Sequence, residues 1–213
     1  CALAAAGVMS EEDAIATVRQ RGIFMQEAVP VGQGAMAAIL ALDAAAIEAV
    51  TDPMEGVWIA NYNCPGQIVI SGKKEAVEEA CEKLKAAGAK RAIMLNVSGP
   101  FHSGMLTGAG EKLGEVLEHV KIHEPAIPYV AIVTAQYVTS AEPVKEPLVK
   151  QVSSSVRWQQ SVEAMIADGV DTFIEIGPGK TLAGFMRKIN KGVKTLNVEK
   201  WEDIDKAVEA LGQ

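Results

Sequence analysis

Apolar and polar positions follow two rhythms along this chain. After Ser10, the residues Ile15, Val18, Gly22, Met25 and Val29 recur at spacings of three and four, which is one face of a helix that Pro30 closes. Ser10 with Asp13 three places on reads as the helix N-cap. The opening Cys1 to Gly7 is small and apolar, like the interior of a buried helix. Beyond Pro30 the segments shorten. Strands are predicted over 35–40, 57–62, 67–71 and 91–97, and helices over 44–50 and 73–87, with turn chemistry at Asn63-Cys64-Pro65-Gly66 and a stop at Gly88. Strand-helix-strand-strand-helix-strand is the order of a ferredoxin-like unit.

After a Ser98-Gly99-Pro100-Phe101-His102 loop, helices are predicted over 105–119, 144–153, 162–167 and 181–190, with a last one from Trp201. Strands are predicted over 127–134, 171–176 and 195–198. Alternating strands and helices predict a mainly parallel sheet covered on both faces. The expected fold is therefore α/β, a mainly parallel sheet domain formed by residues 1–30 and 98–213, with a ferredoxin-like α+β subdomain, residues 31–97, inserted in it.

Composition narrows the function classes. The chain has 213 residues, 49% hydrophobic and 22% charged, with a formal charge of −7 and scattered Lys and Arg, so a nucleic-acid surface is not expected. No apolar run approaches the roughly 20 residues that span a bilayer, so no membrane partner is expected. Three cysteines, Cys1, Cys64 and Cys81, form no C-x-x-C pair, which points to a reducing compartment, the cytoplasm, without a disulfide framework. Gly179-Lys180-Thr181 lacks the earlier glycine of a phosphate loop, since that place holds Ile174, and reads as a strand-to-helix turn with exposed amides. His119 and His123 stand four apart, but Pro125 suggests a fraying helix end and no metal site is expected.

Three segments in one order carry a family likeness: Arg21-Gly-Ile-Phe-Met-Gln-Glu-Ala-Val29, Asn61-Tyr-Asn-Cys-Pro-Gly-Gln-Ile-Val-Ile70 and Ile174-Glu-Ile-Gly-Pro-Gly-Lys180. With them the chain resembles the malonyl-CoA:acyl carrier protein transacylases, from Cys1 to about Asn190. The resemblance implies an α/β-hydrolase-like domain around the small insert and a ping-pong Ser-His mechanism in fatty acid biosynthesis. The substrate would be malonyl-CoA, the acceptor the phosphopantetheine thiol of acyl carrier protein, with no cofactor and a monomeric enzyme. A polyketide acyltransferase is the alternative, and an N-terminal-Cys1 hydrolase is a rival from another class. Family members carry the nucleophile in a Gly-His-Ser-Leu-Gly elbow followed by residues like Cys1-Ala-Leu3. That elbow, and an early Gln-Gly segment of the oxyanion hole, are not in this sequence.

The resemblance also assigns roles. His102 matches the general base, and Gln151 the position whose backbone carbonyl holds its ring. Arg21 would bind the free malonyl carboxylate as a bidentate fork, which lysine would not reproduce; periodicity alone would leave it solvated beside Arg19 and Gln20. Phe101 would crowd an α-methyl and so favour malonyl. Met25 would close the same pocket or serve the core, and Asn63 would line the cleft or simply form a turn. An acidic carrier calls for a basic docking surface, for which Lys73, Lys74, Lys90 and Arg91 are candidates. Two departures stand out: Ala131-Ile132 where relatives often show Ser-Asn, and Ser155 where a proline is usual, the second read as a loop variation.

Overall fold

The computed structural model describes residues 1–97 and 99–212. Ser98, at the start of the expected loop and domain boundary, and Gln213 lie outside the described residues. In chain order the elements are α1 (Ala2–Ala5), α2 (Glu11–Glu27), β1 (Gly34–Leu40), α3 (Ala44–Thr51), β2 (Val57–Cys64), β3 (Gln67–Lys73), α4 (Lys74–Ala86), β4 (Arg91–Met94), α5 (Thr107–Glu118), β5 (Tyr129–Ala131), β6 (Gln136–Val138), α6 (Lys145–Ser153), α7 (Trp158–Ala167), β7 (Thr172–Ile176), α8 (Thr181–Ile189), β8 (Lys194–Val198) and α9 (Glu202–Leu211); a short 3-10 turn, Gly104–Leu106, precedes α5. The fold is mixed α/β, and the chain divides into two compact units, Cys1–Ser161 and Val162–Gln213.

In the first unit an antiparallel sheet runs in the order β2-β3-β1-β4. Its strands alternate between two buried faces. Ala35, Ala37, Ile39, Ile59, Ile68 and Ile70 point to α3 and α4, where they meet Ile47, Val77 and Leu84 in one core. Val77, Ala80, Cys81 and Leu84 are the stripe that α4 supplies, at helical spacing. On the other face Met36, Ala60 and Val69 pack with Leu95 and Phe101, the residue before His102. Gly72 has φ +158°, and a Cβ there would stand 2.0 Å from the Gly56 carbonyl oxygen, so the hairpin end admits only glycine.

A second core joins α2, α5 and α6 through Met9, Met25, Leu106, Leu113, Leu117 and Val152. The Ser10 hydroxyl accepts from the Asp13 N–H at 3.0 Å, and Glu11, Glu12 and Asp13 load the first turn of α2 with the charge its N-terminus favours. The buried stripe of α2 is not the predicted one. Ile15 and Val18 are 68% and 60% exposed, whereas Thr17 and Met25 are buried and Ala14 and Phe24 pack into the core. The inward face is turned by about a quarter of the circumference, given 3.6 residues per turn. That rotation brings Arg21 from the flank of the stripe into the middle of it. The opening segment also differs: α1 spans four residues, none fully buried, and the buried residues, Ala6, Val8 and Met9, lie beyond it.

The strand predicted over 127–134 stops at Ala131. The Thr134 hydroxyl donates back to the Ala131 carbonyl, Ala135 takes φ +57°, and the chain returns as β6 to pair antiparallel with β5. Among the described residues the mainly parallel sheet is not present as one sheet; β7 and β8 are the parallel pair, in the second unit. Alternation of elements identifies extended segments but not their neighbours, and β5 is too short to order more than a hairpin. In the second unit the Glu175 carboxylate accepts from the Leu182 and Ala183 N–H groups at 3.1 and 2.8 Å. The α8 N-terminus is therefore partly capped by its own chain, with two of its first-turn amides engaged.

Candidate active site

His102 follows β4 in a tight turn. Its backbone is left-handed, φ +57°, and the buried Ser103 hydroxyl donates to the Pro100 carbonyl at 2.6 Å, closing the turn beneath it. Histidine is among the residues that tolerate this region, though at some cost. The ring turns toward the end of α6, where Nδ1 lies 2.8 Å from the Gln151 carbonyl oxygen. That oxygen is one of the last four of the helix and has no intrahelical donor. A carbonyl only accepts, so Nδ1 carries the proton and Nε2 is left with a free lone pair.

Burial pushes the His102 imidazolium below its ordinary value of 6.5; the Gln151 carbonyl opposes this, and the charge of Arg21 adds to it. The ring is accordingly neutral at pH 7. Arg21 itself is half-buried, and burial lowers its proton affinity too. No ion pair among the described residues uses it. A half-buried guanidinium without a carboxylate is costly, and an incoming anion would relieve that cost.

Arg21, Met25, Asn63, Phe101 and His102 line a single cavity of about 510 Å³. Gln151 is absent from its wall, because its carbonyl works from behind the ring. It lines a second cavity of about 520 Å³, which Arg21 and His102 share and which also takes in Cys1, Thr17 and Trp158. The two hollows thus meet at the arginine and the histidine. Asn61 lines the first cavity as well and went unnoticed in the sequence. Asn63 and Cys64 belong to β2 rather than to a four-residue turn, and the register with β3 slips at Asn63, so strict alternation does not hold there, yet Asn61 and Asn63 both line the cavity.

Other candidates are dispersed. Lys73 pairs with Gly34 through the sheet register and Arg91 with Leu40, at the other end of β1. Six residues of strand put the two basic pairs about 20 Å apart, so Lys73, Lys74, Lys90 and Arg91 do not make one patch. Helix α5 ends at Glu118, and His119 and His123 share no helical face.

Residues 1–205 match the family model described as the acyl transferase domain. The malonyl CoA-acyl carrier protein transacylase of Bacillus subtilis (strain 168) is 52% identical over 214 residues, which is 99% of this chain and 68% of that protein. The chain belongs to the malonyl-CoA:acyl carrier protein transacylase family. The family's solved structures superpose closely. That of malonyl CoA-acyl carrier protein transacylase from Clostridium perfringens ATCC 13124 gives a TM-score of 0.95 at 42% identity, covering 99% of this chain and 67% of that one. A malonyl-transacylase in complex with a type II PKS acyl-carrier protein gives 0.94 at 40%, covering 98% and 68%. The chain therefore spans about two thirds of the length of these family members.

Proposed function

We propose that this chain supplies the general base and the carboxylate clamp of a malonyl-CoA:acyl carrier protein S-malonyltransferase. The observation that carries the reading is one cavity holding an arginine without a carboxylate partner beside a histidine whose Nδ1 is already engaged. Membership of the family supports the substrate pair. The family's serine elbow is not among these 213 residues.

Arg21 binds the free carboxylate of the malonyl group through two parallel N–H···O bonds. His102 Nε2 takes the proton as the serine oxygen attacks the thioester carbonyl, and returns it to the sulfur as CoA leaves as the thiol. The cycle then runs in reverse with the phosphopantetheine thiol: His102 accepts its proton, the sulfur attacks the malonyl ester, and the serine recovers the proton. Charge helps the timing. A carboxylate on Arg21 cancels part of the positive field that holds down the proton affinity of His102, so the base strengthens when the right substrate is bound. Phe101 and Met25 form the apolar walls, and Asn61 and Asn63 the polar rim.

The extended readings of the fold belong here too. The β1-α3-β2-β3-α4-β4 order with its sheet order supports a ferredoxin-like subdomain over residues 31–97, and the α/β-hydrolase-like description of 1–30 with 98–213 follows from the family likeness. We assign the protein to the cytoplasm; Cys64 and Cys81 are buried and Cys1 is exposed. Fatty acid biosynthesis is the pathway we assign, although a structural neighbour serves a type II PKS carrier.

Brief exposure of the full-length protein to malonyl-CoA is expected to add one malonyl group to its intact mass, and addition of acyl carrier protein to remove it. A mass that never changes sinks the proposal. The pH dependence follows from His102. Its proton affinity is lowered on folding, so the active neutral base persists down through 6.5, and the acid limb of kcat/KM is expected below that value. The sign for stability is the same: the unfolded chain binds this proton first, so the stabilisation is complete above 6.5 and is lost as the pH falls from there toward the folded value. An acid limb above 6.5 would contradict this assignment.

A further inference from the structure

β2 is an edge strand of the four-stranded sheet, and a short stretch after α6 covers part of its outer side. The Val156 N–H donates to the Ala60 carbonyl at 2.7 Å, and the Tyr62 N–H donates to the Val156 carbonyl at 2.9 Å. These bonds use a bulge in β2. Its register with β3 slips between Ile59 and Asn61, leaving Ala60 without a ladder partner and its carbonyl turned outward. One place earlier, the half-buried Ser155 hydroxyl donates to the Ile59 carbonyl at 2.5 Å. Three hydrogen bonds thus fasten Ser155 and Val156 to the strand that also presents Asn61 and Asn63 to the cavity.

The other end of this stretch holds the histidine. Gln151 gives its carbonyl to Nδ1, and the Ser154 backbone also lies against the ring. Helix α6 ends at Ser153, and Ser154 is extended, φ −122° and ψ 160°. Gln151 lies within α6, which the buried Val152 anchors to the core; beyond Ser153 the chain is extended, and Ser155 is the first residue of that stretch fastened to β2. We propose that Ser155 is a positioning residue for His102. Its hydroxyl pins the end of α6 against the bulge of β2, so that the Gln151 carbonyl stays on Nδ1 and keeps the proton off Nε2. The orientation of the base and the polar wall of the cavity are in this way set by one strand. The departure read from the sequence as a loop variation acquires a task.

The proposal rests on His102 being the base, but its direct test does not depend on turnover. Histidine 15N NMR reports which ring nitrogen carries the proton. In the parent protein His102 is expected in the Nδ1–H form. In Ser155→Ala the Nε2–H form gains population, kcat for malonyl transfer falls about three- to tenfold for one lost hydrogen bond, and KM for malonyl-CoA stays within about twofold because Arg21 is untouched. Ser155→Thr keeps the hydroxyl and restores both. Ser155→Cys is nearly isosteric but a weak donor, and it follows alanine; it serves where the alanine variant does not fold. An unchanged tautomer ratio in a folded Ala or Cys variant overturns the proposal, as does failure of threonine to restore it. A tautomer shift in a protein that never transfers malonyl would sustain the positioning role and defeat the functional reading.

Discussion

Alanine in place of His102 is expected to slow malonyl transfer by about 10²–10⁴-fold, the usual contribution of a positioned proton-transfer group. Two features place it in that range. His102 lines the cavity, and because Nδ1 is held by the Gln151 carbonyl the neutral ring carries its lone pair on Nε2. Burial and the neighbouring Arg21 favour the neutral ring, so most molecules are competent at pH 7. Loading followed by intact mass over time would measure the loss, with circular dichroism as a check on folding. The left-handed backbone at φ +57° complicates alanine alone. His102→Asn is the better-matched control, since asparagine is enriched in that region while offering no comparable base. A variant retaining more than about a tenth of the parent rate is incompatible with a general base at this position.

Arg21→Ala is expected to lower kcat/KM for malonyl-CoA by about 30- to 4000-fold while leaving acetyl-CoA equal or improved. Truncating one partner of a hydrogen-bonded charge pair costs about 2–5 kcal/mol, and each 1.4 kcal/mol is about tenfold. Acetyl lacks the carboxylate and leaves a half-buried guanidinium unpaired, so its handicap disappears with the arginine. Lysine should recover only part of the preference, because a point charge does not reproduce two parallel bonds. Competition between the two acyl-CoA substrates gives the ratio directly. An equal loss for both would mean that Arg21 supports the cavity rather than reading the carboxylate.

Much of the element order was legible because caps and breakers are local chemistry. Ser10 and Gly88 bound their helices as the side chain of one and the lack of one in the other require. The orientation of α2 was not legible. Ile15, Val18 and Met25 formed the more hydrophobic stripe, but packing against α5 decided which side faced inward, and it selected Ala14, Thr17 and Arg21 with Met25. The site residues came from resemblance rather than from pattern. Gln151 acts through its carbonyl, a group every residue has, so its side chain carried no signal. Ser155 is similar: a serine after a helix looks like loop chemistry until the register of β2 brings the Ile59 carbonyl under it. The four basic residues seemed one group in the sequence and were separated by the registers of β3 and β4 against β1.

The clamp on β2 has a consequence for association as well. A sheet has two edges, and each bare edge is a template for another strand. Residues 155 and 156 occupy part of the β2 edge, while β4 is the opposite edge, with Ile93 and Met94 42% and 44% exposed and Arg91 as a charge at its start. Growth of the sheet by strand addition is thereby steered to one side. The segment 31–97 made alone would lack the 155–156 cover and present both edges, so the part that looks most self-contained is also the part most disposed to stack on copies of itself.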